Sequence, residues 1–388
     1  MGYMPQPTFF LGQAYKCKYT IVIFRDHKSS NQSMTLPFNK HENYKLATEI
    51  KAFTRELGFQ AVGITDPDLS LYEKKYEQWL KKGYHGEMAY MSKHGKKRTR
   101  PVLLIPEVKS LISVRLDYMP KHSTDPEEVL YQSDVAYVSR YALGRDYHKL
   151  IRKKLQRLAE RIQTRFDTLH YRAFVDSAPV IEKAIAEKAG LGWIAKHTNL
   201  VNKEEGSWFF LGELYTNIEL PADEPAVDHC GHCTRCIDIC PTQAIVAPYQ
   251  LDARLCISYL TIEFHGSIPV ELRPQLGNRI YGCDDCQLVC PWNRFAQFTE
   301  ETDFHPRNNL DNSKLITLFA WNETEFLSRT EGSAIRRIGH TLWLRNIAVA
   351  LGNATTSPEI ITALKQRKEH PSELVREHVS WALAQHED

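Results

Sequence analysis

Eight cysteines between residues 230 and 290 have a spacing that indicates metal-cluster chemistry. The first run reads Cys230-x2-Cys233-x2-Cys236-x3-Cys240-Pro241, a spacing that presents thiolates to four-iron four-sulfur clusters. The second set is Cys256, followed along the chain by Cys283-x2-Cys286-x3-Cys290-Pro291. Each such cluster takes four thiolates, so the two sets supply the ligands of two clusters and predict a redox protein.

The division of the cysteines between the clusters follows from the same spacing. In such a run three thiolates hold one cluster, and the fourth, next to proline, ligates the other cluster. The predicted ligands of the first cluster are Cys230, Cys233, Cys236 and Cys290, and those of the second are Cys240, Cys256, Cys283 and Cys286. A pair of zinc sites is the alternative, because C-x2-C pairs also bind zinc and His229 and His232 lie nearby.

The composition is that of a globular protein without a dominant charge. Lys plus Arg number 49 against 47 for Asp plus Glu, so a nucleic-acid partner must be held by a local basic patch. No apolar run approaches the roughly 20 residues of a membrane span, and a secretory signal is not evident. We therefore expect a cytoplasmic protein without a membrane partner, in which crowded cysteines bind metal and Cys17 stands apart.

Outside the cysteines, alternating helical and strand patterns predict an α/β or α+β catalytic domain over residues 43–220. The predicted helices span 44–57, 148–166 and 180–189, and the predicted strands span 59–64, 110–114, 171–175 and 208–214. Residues 1–42 are expected to be a leader that is disordered or precedes the native start. Residues 221–303 would form a ferredoxin-like two-cluster domain, and 304–388 an all-α domain of HEAT-like repeats. The fold class is therefore α+β.

Two common cofactor motifs are incomplete in this chain. There is no G-x-G-x-x-G that would indicate a dinucleotide fold. The D-x-H-x-x-G of histidine-ligated corrinoids begins at Asp146-Tyr147-His148, but Ile151 stands where glycine is needed. A ferredoxin-like electron-transfer protein without its own chemistry is thus one alternative, although a pure carrier would not need so large an N-terminal domain.

Several longer motifs resemble those of the epoxyqueuosine reductase family. They are YVSRYALGRDYH at 137–148, FVDSAP at 174–179, AGLGW at 189–193, YGCDDC at 281–286 and CPWN at 290–293. The resemblance runs from about residue 43 to the C-terminus. It implies a monomeric enzyme that reduces epoxyqueuosine to queuosine at the wobble position of tRNA, with cobalamin, as cob(II)alamin, and a flavodoxin or ferredoxin type of electron donor.

The same resemblance assigns candidate site residues. The proton donor of the family falls on Asp176, which from the residues alone is also placed to cap a helix. In an apolar cofactor pocket its pKa would be raised, so that it could donate a proton near neutrality. The implied cobalamin contacts are Arg98, Ser139, Asp176, Leu200, Leu211, Cys283 and Asp284. The alternatives are a solvated loop for Arg98, a polar strand end for Ser139 and core positions for the leucines.

Two basic segments are candidates for contact with the tRNA anticodon loop. The first is the loop with Lys93, Lys96, Lys97, Arg98 and Arg100, for which a solvated loop is the alternative. The second, in the C-terminal helices, comprises Arg336, Arg337, Arg345, Lys365, Arg367 and Lys368. Tyr281, Trp292 and Trp343 are candidates for stacking on an extruded base, with core packing as the alternative.

A reductive dehalogenase is the rival enzyme class, because such enzymes also combine cobalamin with two clusters. Its substrate would be a small organohalide rather than RNA. The basic, helical C-terminal segment and the lack of an evident export signal argue against this class.

Overall fold

The computed structural model describes residues 40–387. Cys17 and nearly all of the predicted leader therefore lie outside the described residues. The first described helix begins at Lys40, so the last residues assigned to the leader are helical.

The N-terminal part of the described chain mixes helices with short and long strands. Its helices are α1 (Lys40–Glu56), α2 (Ser70–Lys81), α3 (Ala89–Lys93), α4 (Pro126–Tyr131), α5 (Tyr147–Gln163) and α6 (Glu182–Lys188). Its strands are β1 (Ala61–Thr65), β2 (Ser110–Asp117), β3 (Tyr137–Val138), β4 (Tyr171–Phe174), β5 (Trp193–Ile194), β6 (Leu200–Val201) and β7 (Phe209–Thr216). All seven predicted elements are present, with ends shifted by a few residues.

The long strands form one antiparallel sheet in the order β1-β2-β7-β4. Successive side chains of a strand point to opposite faces, and the sequence of β2 uses both. Ile112 and Val114 pack with Ile151 of α5, whereas Leu111 packs with Ile185 of α6 on the other face. Because the sheet is antiparallel, this part is α+β rather than α/β. Along the chain, α6 follows β4.

The cysteine region is built from short elements. Its helices are α7 (Arg235–Asp238), α8 (Ile257–Ile262), α9 (Arg273–Leu276) and α10 (Asp285–Leu288), and its strands are β8 (Ile245–Ala247), β9 (Gln250–Leu251) and β10 (Arg279–Tyr281). Helices α7 and α10 occupy equivalent positions in the two cysteine motifs. Strand β10 pairs in parallel with β3, which joins this region to the N-terminal part.

The C-terminal part is helical, as predicted. Its helices are α11 (Leu315–Phe319), α12 (Glu323–Arg329), α13 (Gly339–Gly352), α14 (Pro358–Gln366) and α15 (Glu373–Ala384). Helix α13 is buried continuously from Leu342 to Gly352, because α15, α11, β10 and α9 surround it. Over the described residues, every helix is too short or too polar to span a membrane.

Candidate active site

The structure brings the four predicted ligands of the first cluster together around one cavity of about 160 Å³. The cavity is lined by Ala195, Lys196, His197, His229, Cys230, Cys233, Arg235, Cys236, Cys290, Pro291, Trp292 and Arg294. One water molecule needs only roughly 10–15 Å³, so this space exceeds what a single metal ion fills. The donor set, four thiols without a carboxylate, fits an iron–sulfur cluster.

Hydrogen-bond donors surround the cysteines. The indole Nε1 of Trp193 donates to the Sγ of Cys230 at 3.4 Å, and the backbone N–H of Ala244 donates to the Sγ of Cys240 at 3.2 Å. The buried Lys196 donates to the carbonyl oxygens of Gly231 and Cys233 at 2.7 and 2.9 Å. Such donors and nearby charges tune the reduction potential of a cluster.

Three of the four predicted ligands of the second cluster, Cys256, Cys283 and Cys286, have pKa values that are raised by burial. Burial raises the pKa of Cys286 well above its ordinary value, and the charges of Cys256, Cys236 and Cys240 add to the shift. Burial likewise raises the pKa of Cys256, with a contribution from Cys240. Because Cys236 of the first set acts on Cys286 of the second, the two sets are neighbours.

The second motif contains two buried carboxylates, of which Asp284 ties it to the catalytic part and Asp285 is bound within the cysteine region. Asp284 accepts hydrogen bonds from the Ser139 hydroxyl at 2.6 Å, the Tyr137 hydroxyl at 2.9 Å and the Arg140 backbone N–H at 2.8 Å. The guanidinium of Arg279 binds both carboxylate oxygens of Asp285 at 2.9 and 2.6 Å. The predicted contacts Ser139 and Asp284 are thus brought together, with their side chains engaged with each other.

Asp176 lies in the turn after β4, with a backbone φ of 43°. Helix α6 begins only at Glu182, with Ile181 at its N-cap, so the helix-capping alternative for Asp176 is wrong. The carboxylate Oδ2 is 3.5 Å from the Nε2 of His148, and the Asp176 side chain is 55% exposed. Its backbone N–H donates to the Oε1 of Glu182 at 2.6 Å, which supports the strained turn.

The upward shift predicted for the Asp176 pKa belongs to a pocket that holds the cofactor, and the protein side chains alone lower this pKa. Partial loss of solvent would raise this pKa, but the hydrogen bond and charge of His148, together with Arg337, outweigh it and lower the pKa. Burial would lower the pKa of His148, but hydrogen bonds to Asp146 and Asp176 outweigh it and raise the pKa to about 9. At neutral pH the pair is therefore an imidazolium beside a carboxylate.

Three residues of this cleft were not among the predicted site residues, namely His148, Glu182 and Lys183. His148 is the last residue of the 137–148 motif, so this motif could have indicated it as a site residue. Burial and the charge of Asp176 raise the pKa of Glu182 to about 8. Loss of solvent lowers the pKa of Lys183, while the charges of Asp176 and Cys286 oppose that shift. The charges of Asp176 and of Cys286, in the second cysteine set, therefore both act on Lys183.

Arg98 is only 6% exposed, so the solvated-loop alternative for this residue is wrong. Its guanidinium donates to the carbonyl oxygens of Ala178 and Val180 at 3.3 and 3.2 Å, in the segment that follows Asp176. The buried Nε has no hydrogen-bond partner among the described residues. Leu200 and Leu211 lie in one apolar cluster with α6, Leu200 buried and Leu211 partly exposed.

Several predicted RNA contacts are wrong because the side chains are engaged within the protein. Arg345 is completely buried and donates to the carbonyl oxygens of Leu260, Phe264 and Gly266. In the basic loop, Arg98 is buried, and Lys96 and Arg100 pair with Glu73. Arg367 is partly buried and donates to the end of α11. Lys96 and Arg100 remain exposed, as do Lys93, Lys97, Arg336, Arg337, Lys365 and Lys368, although Arg337 pairs with Glu263 and Arg336 donates to the carbonyl oxygen of Leu327.

Of the three aromatic residues predicted to stack on an extruded base, two lie in the core and one lines the cavity of the first cysteine set. Tyr281 and Trp343 are completely buried, and each donates to a backbone carbonyl, that of Ala334 at 3.0 Å and that of Leu318 at 3.3 Å. Both are core residues. Trp292 lines the cavity of the first cysteine set, where its ring centroid is 5.4 Å from that of Trp193.

Comparisons with known proteins agree with this geometry. A family model described as a 4Fe-4S double cluster binding domain matches residues 229–293, and one described as epoxyqueuosine reductase QueG, DUF1730, matches residues 98–177. The epoxyqueuosine reductase of Pseudomonas aeruginosa is 60% identical over 344 residues, covering 88% of this chain and 95% of that protein. That of Escherichia coli is 58% identical over 342 residues, covering 88% and 89%.

Solved structures give the same result. A crystal structure of epoxyqueuosine reductase with a tRNA-Tyr epoxyqueuosine-modified stem loop has a TM-score of 0.81 and 30% identity, covering 89% of this chain and 91% of that one. The Bacillus subtilis enzyme, described with its aspartate catalytic loop swung out of the active site, has a TM-score of 0.80 and 29% identity, with the same coverage.

The fold and the double cluster domain define an iron–sulfur oxidoreductase with two four-iron four-sulfur clusters, which overturns the zinc alternative. The similarity to the curated relatives extends over almost their whole length. The chain belongs to the epoxyqueuosine reductase family.

Proposed function

We propose that this chain reduces epoxyqueuosine in tRNA to queuosine. The observation that carries the proposal is that the motif at 137–148 reaches both groups, because its Ser139 binds Asp284 of the second cysteine motif at 2.6 Å and its His148 faces the Asp176 carboxylate at 3.5 Å. An acid and an electron source thereby meet at one place. The Pseudomonas aeruginosa relative named for this activity is 60% identical, and this similarity supports epoxyqueuosine as the substrate of the cleft.

For the eight cysteines, the proposed ligand sets are those of the spacing rule. Cys230, Cys233, Cys236 and Cys290 would hold the first cluster, and Cys240, Cys256, Cys283 and Cys286 the second. The common cavity of the first set and the mutual charges of the second support this division.

For the cofactor of the cleft we propose cobalamin. The unpartnered Nε of Arg98 offers a polar contact, and Leu200 and Leu211 offer apolar ones, so the residues fit a large amphipathic group. Ser139 and the Cys283-Asp284 segment would contact it through the backbone, because the Ser139 and Asp284 side chains bind each other. When bound, cobalamin would supply the reducing chemistry that opens the epoxide.

Side chains of the protein would supply the protons that the reduction of the epoxide consumes. Conversion of the epoxide to an alkene and water consumes two electrons and two protons. His148 holds a proton at the Nε2 that faces Asp176, and the Asp176 carboxylate would relay this proton to the departing oxygen, after which His148 would take up the second proton from solvent. Glu182 fixes the backbone of Asp176 so that the carboxylate keeps its place.

The domain roles, the RNA-binding surface and the oligomeric state are proposed on the basis of the same function. The proposed domains are 43–220 for catalysis and cobalamin, 221–303 for the clusters, and 304–388 as a HEAT-like, tRNA-binding domain. The exposed Lys365 and Lys368 would contact phosphate, and so would Arg336 and Arg337, which also bind the Leu327 carbonyl oxygen and Glu263. The protein would act as a cytoplasmic monomer, and tRNA binding would weaken steeply with salt.

The test is an assay of the anaerobically reconstituted chain with epoxyqueuosine-containing tRNA, cobalamin and a reductant, followed by nucleoside mass analysis. We expect queuosine, and loss of product when cobalamin is omitted. A halogenated phenol replaces the tRNA in a second arm. Dehalogenation without queuosine formation would favour the dehalogenase class and overturn the proposal.

A further inference from the structure

The first cysteine set is the point at which an external electron meets this protein. The residues around it, including Gly231, Thr234 and Arg235, are exposed. At the equivalent positions of the second motif, Asp284 and Asp285 are 2% and 6% exposed. An electron delivered from solvent therefore reaches the first set before the second.

The rim of the first cavity is basic. Its lining contains Lys196, His229, Arg235 and Arg294, together with a buried His197 that is neutral because burial lowers its pKa to about 4, and among the described residues it contains no carboxylate. The ammonium of Lys196 is already bound to the carbonyl oxygens of Gly231 and Cys233. The exposed Arg235 and Arg294 are thus the charges that the rim presents to a partner.

The acidic residues beside the rim are engaged locally. Asp228 accepts hydrogen bonds from the Cys230 backbone N–H at 2.7 Å and from the Tyr249 hydroxyl. Asp238 accepts one from the Thr234 hydroxyl at 2.8 Å. Both carboxylates keep their negative charge, but neither lines the cavity, whereas Arg235 and Arg294 both do, so positive charge lies closest to the first cluster.

Apolar side chains are exposed on the same surface. Val227 is 70% exposed, Tyr249 42% and Phe295 37%, and the Arg294 guanidinium lies over the Phe295 ring at 4.5 Å. Aromatic groups combined with arginine are characteristic of protein interfaces.

We propose that this rim, defined by Arg235, Arg294, Tyr249 and Phe295, is the docking surface for an acidic one-electron carrier protein. The proposal rests on the proposed function, because the carrier supplies the electrons that epoxide reduction consumes. Each encounter oxidises the carrier by one electron and reduces the first cluster by one, so two encounters serve one turnover. Opposite charges steer the partners together and accelerate their association.

The test measures cluster reduction in the full chain by stopped-flow absorbance, with reduced flavodoxin as the probe. For the native chain we expect a rate that falls with added salt. The R235E/R294E variant should react about 10-fold more slowly at low salt, since steering contributes on the order of 10-fold or more. R235K/R294K, which keeps both charges, and R152E/R157E, with the same charge change at two exposed arginines of α5, should retain the native rate.

A small photoreduced deazaflavin serves as the second reductant and should reduce all variants equally. Two results would overturn the proposal, namely native rates with flavodoxin in R235E/R294E, or equal slowing with both reductants, which would mean that the arginines act on the cluster itself. Failure of the proposed function gives a different result. In that case deazaflavin yields no queuosine, while flavodoxin still reduces the clusters in a salt-dependent manner and supports the docking surface.

Discussion

The two C-x2-C motifs of the cluster region fold alike but face opposite surroundings. Each leads into a one-turn helix, α7 or α10. In the first motif the residues between the cysteines, Thr234 and Arg235, are exposed, whereas in the second Asp284 and Asp285 are buried. Cysteine spacing thus sets the local fold, and the residues between the cysteines decide whether a cluster faces solvent or the catalytic part.

The buried carboxylates of the second motif are tolerated because each is satisfied. Asp284 receives three hydrogen bonds from the segment around β3, and Asp285 is held by both arms of Arg279. A buried charge without such partners would be strongly destabilising. These contacts hold the second motif in one position beside the Asp176 cleft, whereas the first motif remains accessible to a partner.

The largest effect on turnover is expected at Asp176, in the catalytic part of the molecule. Asp176→Asn removes the acid but keeps the size and the turn of the backbone. We expect turnover to fall by about 10²- to 10⁴-fold, the usual contribution of a general acid. Iron content and visible absorbance should stay native. Full activity of Asp176→Asn would refute the role of this residue, and Ser177→Ala is the neighbouring control.

Matched substitutions in the two motifs should separate their roles. Asp284→Ala leaves three donors without their acceptor, each unsatisfied group costing roughly 1–3 kcal/mol, so we expect the free energy of unfolding to fall by about 3 kcal/mol or more. The second cluster should be lost with it. Thr234→Ala, at the equivalent exposed position, should leave both properties nearly native. Denaturant unfolding and iron analysis measure the difference, and equal effects of the two substitutions would break the comparison.

A pH profile tests the proton source. Since the pKa of His148 is raised to about 9, the group is protonated below that pH and loses its proton as the pH rises through it. Native turnover should therefore decline above a pH of about 9. His148→Gln should lower turnover by about 10-fold or more and abolish this alkaline decline. An unchanged profile in His148→Gln would exclude His148, and the exposed His122→Gln is the control.

The smallest effect is expected at Glu182, which touches the backbone of Asp176 rather than its carboxylate. Glu182→Ala removes the acceptor of the Asp176 N–H, a hydrogen bond worth about 0.5–1.5 kcal/mol, so turnover should fall by about 2- to 10-fold. Glu182→Gln keeps an acceptor oxygen and should recover most of the rate. Amide hydrogen exchange at Asp176 should be faster in the alanine variant only, and equal exchange in both variants would argue against this positioning role.

Much of the cluster region could be predicted from the sequence because its chemistry is local. Three cysteines on one tight turn are expected to share a centre, and the spacing alone predicts how the ligands divide between the clusters. Asp176 was placed by the resemblance of its motif. Its ionisation was not, because His148 lies 28 positions earlier in the chain and approaches Asp176 only through the packing of α5 against the sheet.

The C-terminal helices show where sequence patterns stop being informative. The stripe of Leu342, Ile347 and Leu351 predicts one buried face of α13, with Arg345 on a solvent face. In the fold α13 is surrounded, so Arg345 is buried and satisfied by three backbone carbonyls. Whether a cation binds RNA or backbone depends on the neighbours of its helix, and these are fixed by tertiary packing.

The most direct test of the central claim, that two clusters in series feed one reducing cleft, is an anaerobic single turnover. The cobalamin-loaded chain is reduced until both clusters carry one extra electron, freed of reductant, and mixed with epoxyqueuosine-containing tRNA. The account predicts about one queuosine per protein molecule with reoxidation of both clusters, because two stored electrons match one epoxide. Clusters that stay reduced while the epoxide persists would contradict it.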